Sequence, residues 1–356
     1  MLSRADIEPI LNAQPLGSQW PTLDPFIFCA HHDDAYPSSD GAFGPAATLQ
    51  GRQIGSDFSR KDGWSMYHGD SVPGFPGHPH RGFETVTLVR KGLIDHADSL
   101  GAAARFGGGD VQWVTAGKGI VHSEMFPLLN TAAPNPLELF QIWLNLPARN
   151  KMVAPHFTMH WSEQIPRVVH HDAAGCVTTV TVVAGALPGA GAAHAPLPPP
   201  PESWASQPDS DVAIWTLHLT PGATWQMPAA RGAGTRRMLY FFAGDSLRVG
   251  GQDIHHPAAL EIDAAHDWPL TNIGTTAVEC LLLQGQPIAE PVAQHGPFVM
   301  NTQAEIRQAM ADYRSTQFGG WPWPVLNPVH GSTAQRFARY PGQVQDEKPG
   351  KTVAAP

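Results

Sequence analysis

Two short motifs hold the residues best suited to chemistry: His78-Pro79-His80 and His122-Ser123-Glu124. On an extended strand, residues i and i+2 point to the same face. Each triplet therefore aims two ligand-type side chains one way, and two such strands facing one interior would set His78, His80, His122 and Glu124 around a single point. Three imidazoles and a carboxylate suit Fe, Mn, Co, Ni, Cu or Zn; Ca and Mg prefer shells made of oxygen alone. Four protein ligands leave two positions of an octahedral ion open to water, dioxygen or a chelating substrate. The chain has eighteen histidines, so some fall close together by chance. A lone HxH is weak evidence, and the weight comes from two motifs that bracket about forty residues of strand and turn signal.

The strands that must position these residues can be read around them. Counting by twos from His78 gives His80, Gly82, Glu84, Val86 and Leu88. That face turns from polar to apolar, as expected of one strand running from a barrel mouth into its core, with Arg81, Thr85 and Thr87 on the other face. Turn signals follow at Lys91-Gly92, Gly107-Gly108-Gly109 and Ala116-Gly117-Lys118-Gly119, and strand character returns over Leu137–Leu146. Residues 1–30 read as a short helix or arm followed by an apolar strand, and 31–70 as a long loop or insertion. The segment Tyr240–Gly251 reads as a hairpin. Thr302-Gln-Ala-Glu305 has the capping-box pattern and predicts a helix over 303–318. The stretch 184–209, with four consecutive prolines, cannot lie in a central strand and reads as a linker.

The bulk composition agrees. A chain of 356 residues exceeds what one core usually serves. With 42% apolar residues against 15% charged it must fold, and 35 glycines and 35 prolines favour many short strands over long helices. A formal charge of −9 without any dense Lys/Arg run argues against direct nucleic-acid binding, though not against a protein partner. No stretch reaches the roughly 20 apolar residues of a membrane span, and the N-terminus lacks the apolar run of a secretory signal. Cys29, Cys176 and Cys280 are odd in number and far apart, which speaks against disulfides and thiolate zinc and for a reducing, cytoplasmic setting, or a nuclear one in a eukaryote.

The stretch HPHRGFETVTLVRKGLIDHADSLG…GGGDVQWVTAGKGIVHSEMF over 78–126 resembles the pirin family of the cupin superfamily. So do LFQIWLNLPARNKM at 139–152 and PIAEPVAQHGPFVMNTQAEIRQAMADYRSTQFG at 287–319. The resemblance implies a mainly β fold of two antiparallel jelly-roll barrels packed face to face. Residues 1–183 would form the metal-binding cupin, 210–320 a cupin without metal ending in the helix, and 321–356 an extended tail, poorly ordered over most of 330–356. It also implies one metal ion, usually iron, taken here as Fe(II), on His78, His80, His122 and Glu124. Two activities come with the family: quercetin 2,3-dioxygenase-like cleavage of a flavonol-type aromatic, with Glu124 moving the substrate proton, and metal-dependent transcriptional regulation through protein partners. Oligomeric state is left open.

Other residues compete for roles. The wider cupin pattern uses a glutamate soon after HxH, which here would be Glu84; the pirin-like motif draws its carboxylate from Glu124 instead, with Glu84 as support for a histidine. His96 and Asp98 read as outer support or, for Asp98, a turn. Gln112 could line a pocket, and Trp113 reads as core. His31-His32-Asp33-Asp34 reads as solvated loop, Trp321-Pro-Trp-Pro as a strap, and Cys176 and Cys280 as small core hydrophobes.

Overall fold

The computed structural model describes residues 7–349. It is mainly β with one α-helix, Gln303–Thr316, near the C-terminal end. The chain divides into two compact units, residues 1–30 with 164–289, and residues 31–163 with 290–356.

The unit that carries both motifs is built from two antiparallel five-stranded sheets. One runs, edge to edge, His156–His160, Val111–Thr115, Phe83–Lys91, Leu137–Asn145, Phe26–Asp34. The other runs Phe337–Arg339, Ala103–Gly107, Leu93–Asp98, Ile120–Met125, Gly74–His80. Alternation decides which side chains line the interior. Val89, Val114, Leu139, Phe157 and Met159 from the first sheet join Ile94, Ala104, Phe106 and Ile120 from the second in one buried cluster. The other unit has a seven-stranded and a four-stranded sheet. Its interior is apolar throughout its buried cluster, with Val180, Leu217, Leu239, Leu260 and Leu282 among its lining.

Several expectations change. The motif-bearing unit was expected to end near residue 183, but strand pairing divides the chain differently. Ile10–Pro15 bonds to Ala258–Ile262, and Arg167–His171 with Val177–Ala184 completes the seven-stranded sheet. The segment from 290 onward, helix included, returns to the motif-bearing unit. Proline-rich 184–209 lies inside one unit with short 3-10 turns at Ala192–His194 and Trp204–Ser206, so its prolines mark a surface excursion and not a border between domains. Residues 31–34 belong to a strand, not to a solvated loop: His32 Nδ1 meets Tyr67 Oη at 2.7 Å and His31 Nε2 meets Glu138 Oε1 at 3.1 Å. Tyr240–Gly251 is not a hairpin, because Arg236–Ala243 and Leu247–Val249 lie in different sheets and the latter pairs with Gln252–Ile254.

The helix stands where the capping box placed it. Thr302 Oγ1 accepts from Glu305 N at 3.2 Å, and Glu305 Oε2 accepts from Thr302 N at 2.8 Å. It ends at Thr316, with Gln317 in the left-handed conformation at φ 50°. The tail is ordered through 349, against expectation, because it contributes a strand and several anchors. Phe337–Arg339 pairs with Ala103–Gly107, Arg336 bonds Asp110, and Trp161 Nε1 donates to Glu347. The Trp321-Pro-Trp-Pro strap holds through Trp323, whose Nε1 donates to the Asp98 carbonyl at 2.8 Å. Residues 350–356 lie outside the described residues.

Candidate metal centre

The Gly74–His80 strand pairs with Ile120–Met125, with His78 directly opposite His122 and Phe75 opposite Glu124. A bulge between Phe75 and His78 absorbs the extra residue and turns the His78 ring onto the same side as its partner. The ring centroids of His78, His80 and His122 form a near-equilateral triangle with sides of 4.5 to 4.8 Å. One nitrogen from each ring lies within 4.8 Å of the other two, an arrangement able to hold a metal ion.

The chain turns sharply after His80. Gly74–His80 and Phe83–Lys91 lie in different sheets, joined through Gly82 at φ 87°, where an added Cβ would come within 2.0 Å of the Val299 carbonyl oxygen. The expected single strand through Leu88 is therefore two strands, and the parity count does not pass Gly82. Inside the barrel the residues facing the histidines are Phe83, Thr85 and Thr87. Phe83 lies 5.1 Å from the His80 ring, and Thr87 Oγ1 lies 3.0 Å from Glu124 Oε1. Glu84 points to the opposite face, where it accepts from Thr115 Oγ1 at 2.7 Å.

Glu124 is buried, and its Oε2 lies 3.9 Å from His122 Nε2. Thr87 shares its single hydroxyl proton between Glu124 Oε1 and Gln141 Oε1, the latter at 2.6 Å, while Gln141 Nε2 donates to Glu124 Oε2 at 3.1 Å. Burial raises the Glu124 pKa above the usual carboxyl value, with His96, Thr87 and Gln141 pulling the other way. Thr87 and Gln141 were missed in the sequence. Their signal was a polar residue at an inward position of an otherwise apolar strand.

The three imidazoles are held neutral. Burial lowers His78 to about 4 and pushes His80 and His122 well below the ordinary histidine value. His78 Nδ1 donates to the Pro76 carbonyl at 2.9 Å, which leaves Nε2 as a lone pair. His80 leans on the Pro297 backbone, and its Nδ1 has no partner among the described residues; nor has either nitrogen of His122. Orphaned nitrogens on neutral, fully buried imidazoles are costly in an empty core. A transition-metal ion would satisfy them, and the donor set fits one.

Asp98 takes the turn role read for it and pairs with His96. Asp98 Oδ1 accepts from Leu100 N and Ala102 N in the turn, while Oδ2 takes His96 Nε2 at 3.2 Å. The His96 ring stacks on Phe157 and stands 5.5 Å from His122. Gln112 faces the interior, in register with Thr87, and Trp113 packs fully buried on the other side.

Residues well separated in sequence lock the turn after His80. Val299 N donates to the Arg81 carbonyl, Arg81 Nη1 bonds Asp312 at 2.7 Å, and the buried Lys151 ammonium donates to Gly82 O, Asn145 Oδ1 and Val299 O at 2.8, 2.7 and 3.1 Å. Lys151→Met removes a donor from three buried oxygens, of which Asn145 Oδ1 keeps Leu146 N at 3.0 Å, and each oxygen left unpaired costs about 1–3 kcal/mol. We expect a loss on the order of 3 kcal/mol in urea unfolding and weaker metal retention.

Comparison with known proteins agrees with this geometry. A family model described as Pirin matches residues 11–144, and one described as Pirin C-terminal cupin domain matches 214–319. The chain belongs to the pirin family. It is 35% identical to mouse pirin over 261 residues, covering 71% of this chain and 80% of the mouse protein. It is 34% identical to a pirin-like protein of Solanum lycopersicum over 68% of this chain and 75% of the other. Its fold matches a crystal structure of quercetin 2,3-dioxygenase from Acinetobacter baumannii with TM-score 0.63 and 25% identity, over 88% of this chain and 96% of that one. The pirin C-terminal match stops at 319, so the ordered tail through 349 lies beyond it. No helix among the described residues of this pirin is long and apolar enough to cross a membrane.

The depressed histidine values give this pirin an acid-labile metal-free form. In the unfolded chain these histidines protonate near pH 6.5, while in the folded chain His78 stays neutral down to about 4 and burial holds the other two well below their ordinary value. The unfolded state therefore binds more protons as pH falls from 6.5, and stability rises with pH across that window. Each histidine contributes about 1.4 kcal/mol per pH unit there. Glu124, raised by burial, works in the opposite sense below its folded value, one group against three. Urea unfolding of metal-free protein between pH 4.5 and 6.5 should show this slope, and His122→Leu should reduce it by one histidine's share.

Proposed function

We propose that this pirin is a metal-dependent dioxygenase of the quercetin 2,3-dioxygenase type, with iron(II) held by His78, His80, His122 and Glu124. The observation that carries the reading is the buried triangle of neutral imidazoles with a carboxylate of raised pKa beside it. The quercetin 2,3-dioxygenase name of the Acinetobacter baumannii structure supplies the substrate class, a flavonol-like aromatic.

When bound, the ion supplies Lewis acidity toward a hydroxyl or carbonyl oxygen and a redox partner for dioxygen. Glu124 takes the proton of the substrate hydroxyl on a carboxylate oxygen. Burial raises its pKa in the metal-free protein, which strengthens the carboxylate as a base. Thr87 and Gln141 fix the carboxylate's orientation from the sheet opposite. Phe83 and Trp143 pack their rings against His80, and Phe157 stacks on His96 behind His122, an apolar surround that would limit water.

The test is metal analysis of protein purified anaerobically from cells grown without added metal, followed by oxygen uptake with quercetin. Near one iron per chain with uptake supports the dioxygenase. Uptake that fails with the Fe, Mn, Co, Ni and Cu forms alike overturns it. Iron bound without uptake would move the reading to a redox-responsive regulator acting through a protein partner.

A further inference from the structure

We infer that Gln112 is a ligand-recognition residue inside the metal-binding barrel, its carboxamide hydrogen-bonding an oxygen-bearing ligand held at the three-histidine centre. The inference deepens the dioxygenase reading and rests on it for the ligand's location.

The carboxamide of Gln112 is fully buried, and neither its oxygen nor its nitrogen has a hydrogen-bond partner among the described residues. Each such unmade bond costs about 1–3 kcal/mol, and native folds keep few of them without reason. Strand register shows where the group sits. Gln112 lies opposite Thr87 on one side and Met159 on the other, and Thr87 lies opposite Gln141. Gln112, Thr87 and Gln141 thus form one row across the inner face of the sheet. Two members of the row hold Glu124; the third bonds none of the described residues.

A second orphan lies one step along the same face. Thr85 is buried with its hydroxyl unpartnered, and its cross-strand neighbours are Val114 and Trp143. The Trp143 ring is 5.5 Å from that of His80. The unpartnered polar atoms of this inner face therefore flank the Glu124 contact, and they lie among the apolar side chains of Val114, Phe157 and Met159. The fold does not demand them, since the other barrel fills its interior with Leu217, Leu239, Leu260 and Leu282. A metal ion accounts for the histidine nitrogens but not for an amide and a hydroxyl on the opposite sheet.

The chemistry of the group sets the ligand class. A carboxamide presents a carbonyl acceptor and an N–H donor side by side, which complements adjacent hydroxyl and carbonyl oxygens. The apolar side chains around it favour a flat ring. A planar hydroxy-ketone meets both conditions, whereas ordered water would meet only the polar one.

The test uses the full chain loaded with Co(II) and titrated with maltol, a small planar hydroxy-ketone, followed by visible absorption. Gln112→Leu should weaken maltol at least about tenfold, as loss of one or two hydrogen bonds implies, while Co(II) affinity, measured against a chromophoric chelator, stays within about threefold of wild type. Gln112→Met, closer in length and flexibility, repeats the measurement should the leucine variant fold poorly. Equal maltol affinity in wild type and variant would overturn the inference and leave Gln112 as a water site. A parallel fall in Co(II) affinity would overturn it too, and so would a wild-type protein that does not respond to maltol. Maltol binding that depends on Gln112, in a protein that consumes no oxygen with quercetin, would keep this inference and sink the dioxygenase reading.

Discussion

His122→Ala should abolish metal binding while leaving the fold intact. His122 is one corner of the triangle, paired across the strands with His78 and 4.8 Å, ring to ring, from His80. Loss of an outer hydrogen-bond partner of a metal ligand typically costs about 10–100-fold in affinity, so loss of one of three clustered imidazoles should cost more, at least on the order of 100-fold. The fold should survive because neither His122 nitrogen has a hydrogen-bond partner among the described residues. What the substitution removes is packing beside His96 and an imidazole that resists burial, two effects of opposite sign. Competition against a chromophoric chelator reads the affinity, and circular dichroism reads the fold. Retention of stoichiometric metal by the alanine variant would refute the assignment of the centre.

The two motifs were legible because i, i+2 alternation is a property of any extended strand, and HPH and HSE each fall within one. What could not be read is where strands end. Nothing between His80 and Phe83 announces a change of sheet except one glycine, whose positive φ and close approach to Val299 become apparent only when residues more than two hundred positions away are in place. Glu84 was therefore put on the wrong face, and Thr85 and Thr87 with it. The unit borders failed for a related reason. Punctuation by proline and glycine marks turns, and turns occur within barrels as well as between them. The tail gave a polar, Gly- and Pro-rich sequence that looked disordered. Its order comes from Arg336 with Asp110, His330 N with Asp95, and Trp323 with Asp98, contacts that composition alone does not reveal.

Glu124→Gln should lower oxygen uptake with quercetin by about 10²–10⁴-fold, the range in which a positioned general base contributes. The substitution keeps the shape of the side chain and its place beside Thr87 and Gln141 but removes the charge and the basic oxygen. Weaker metal binding could by itself reduce activity, so the rate must be compared at saturating metal, and the deciding readout is the pH profile. In metal-loaded wild type the acid limb of kcat/KM should report Glu124, whose carboxylate form the bound cation would favour against the rise that burial causes in the metal-free protein. The limb should vanish in Glu124→Gln. Thr87→Val gives the complementary shift: the Thr87 hydroxyl stabilises the carboxylate, so its loss favours the protonated form, raises the pKa and moves the limb to higher pH, with metal affinity changed less than activity. An acid limb unmoved by either substitution would place the working base elsewhere and leave Glu124 as a ligand alone.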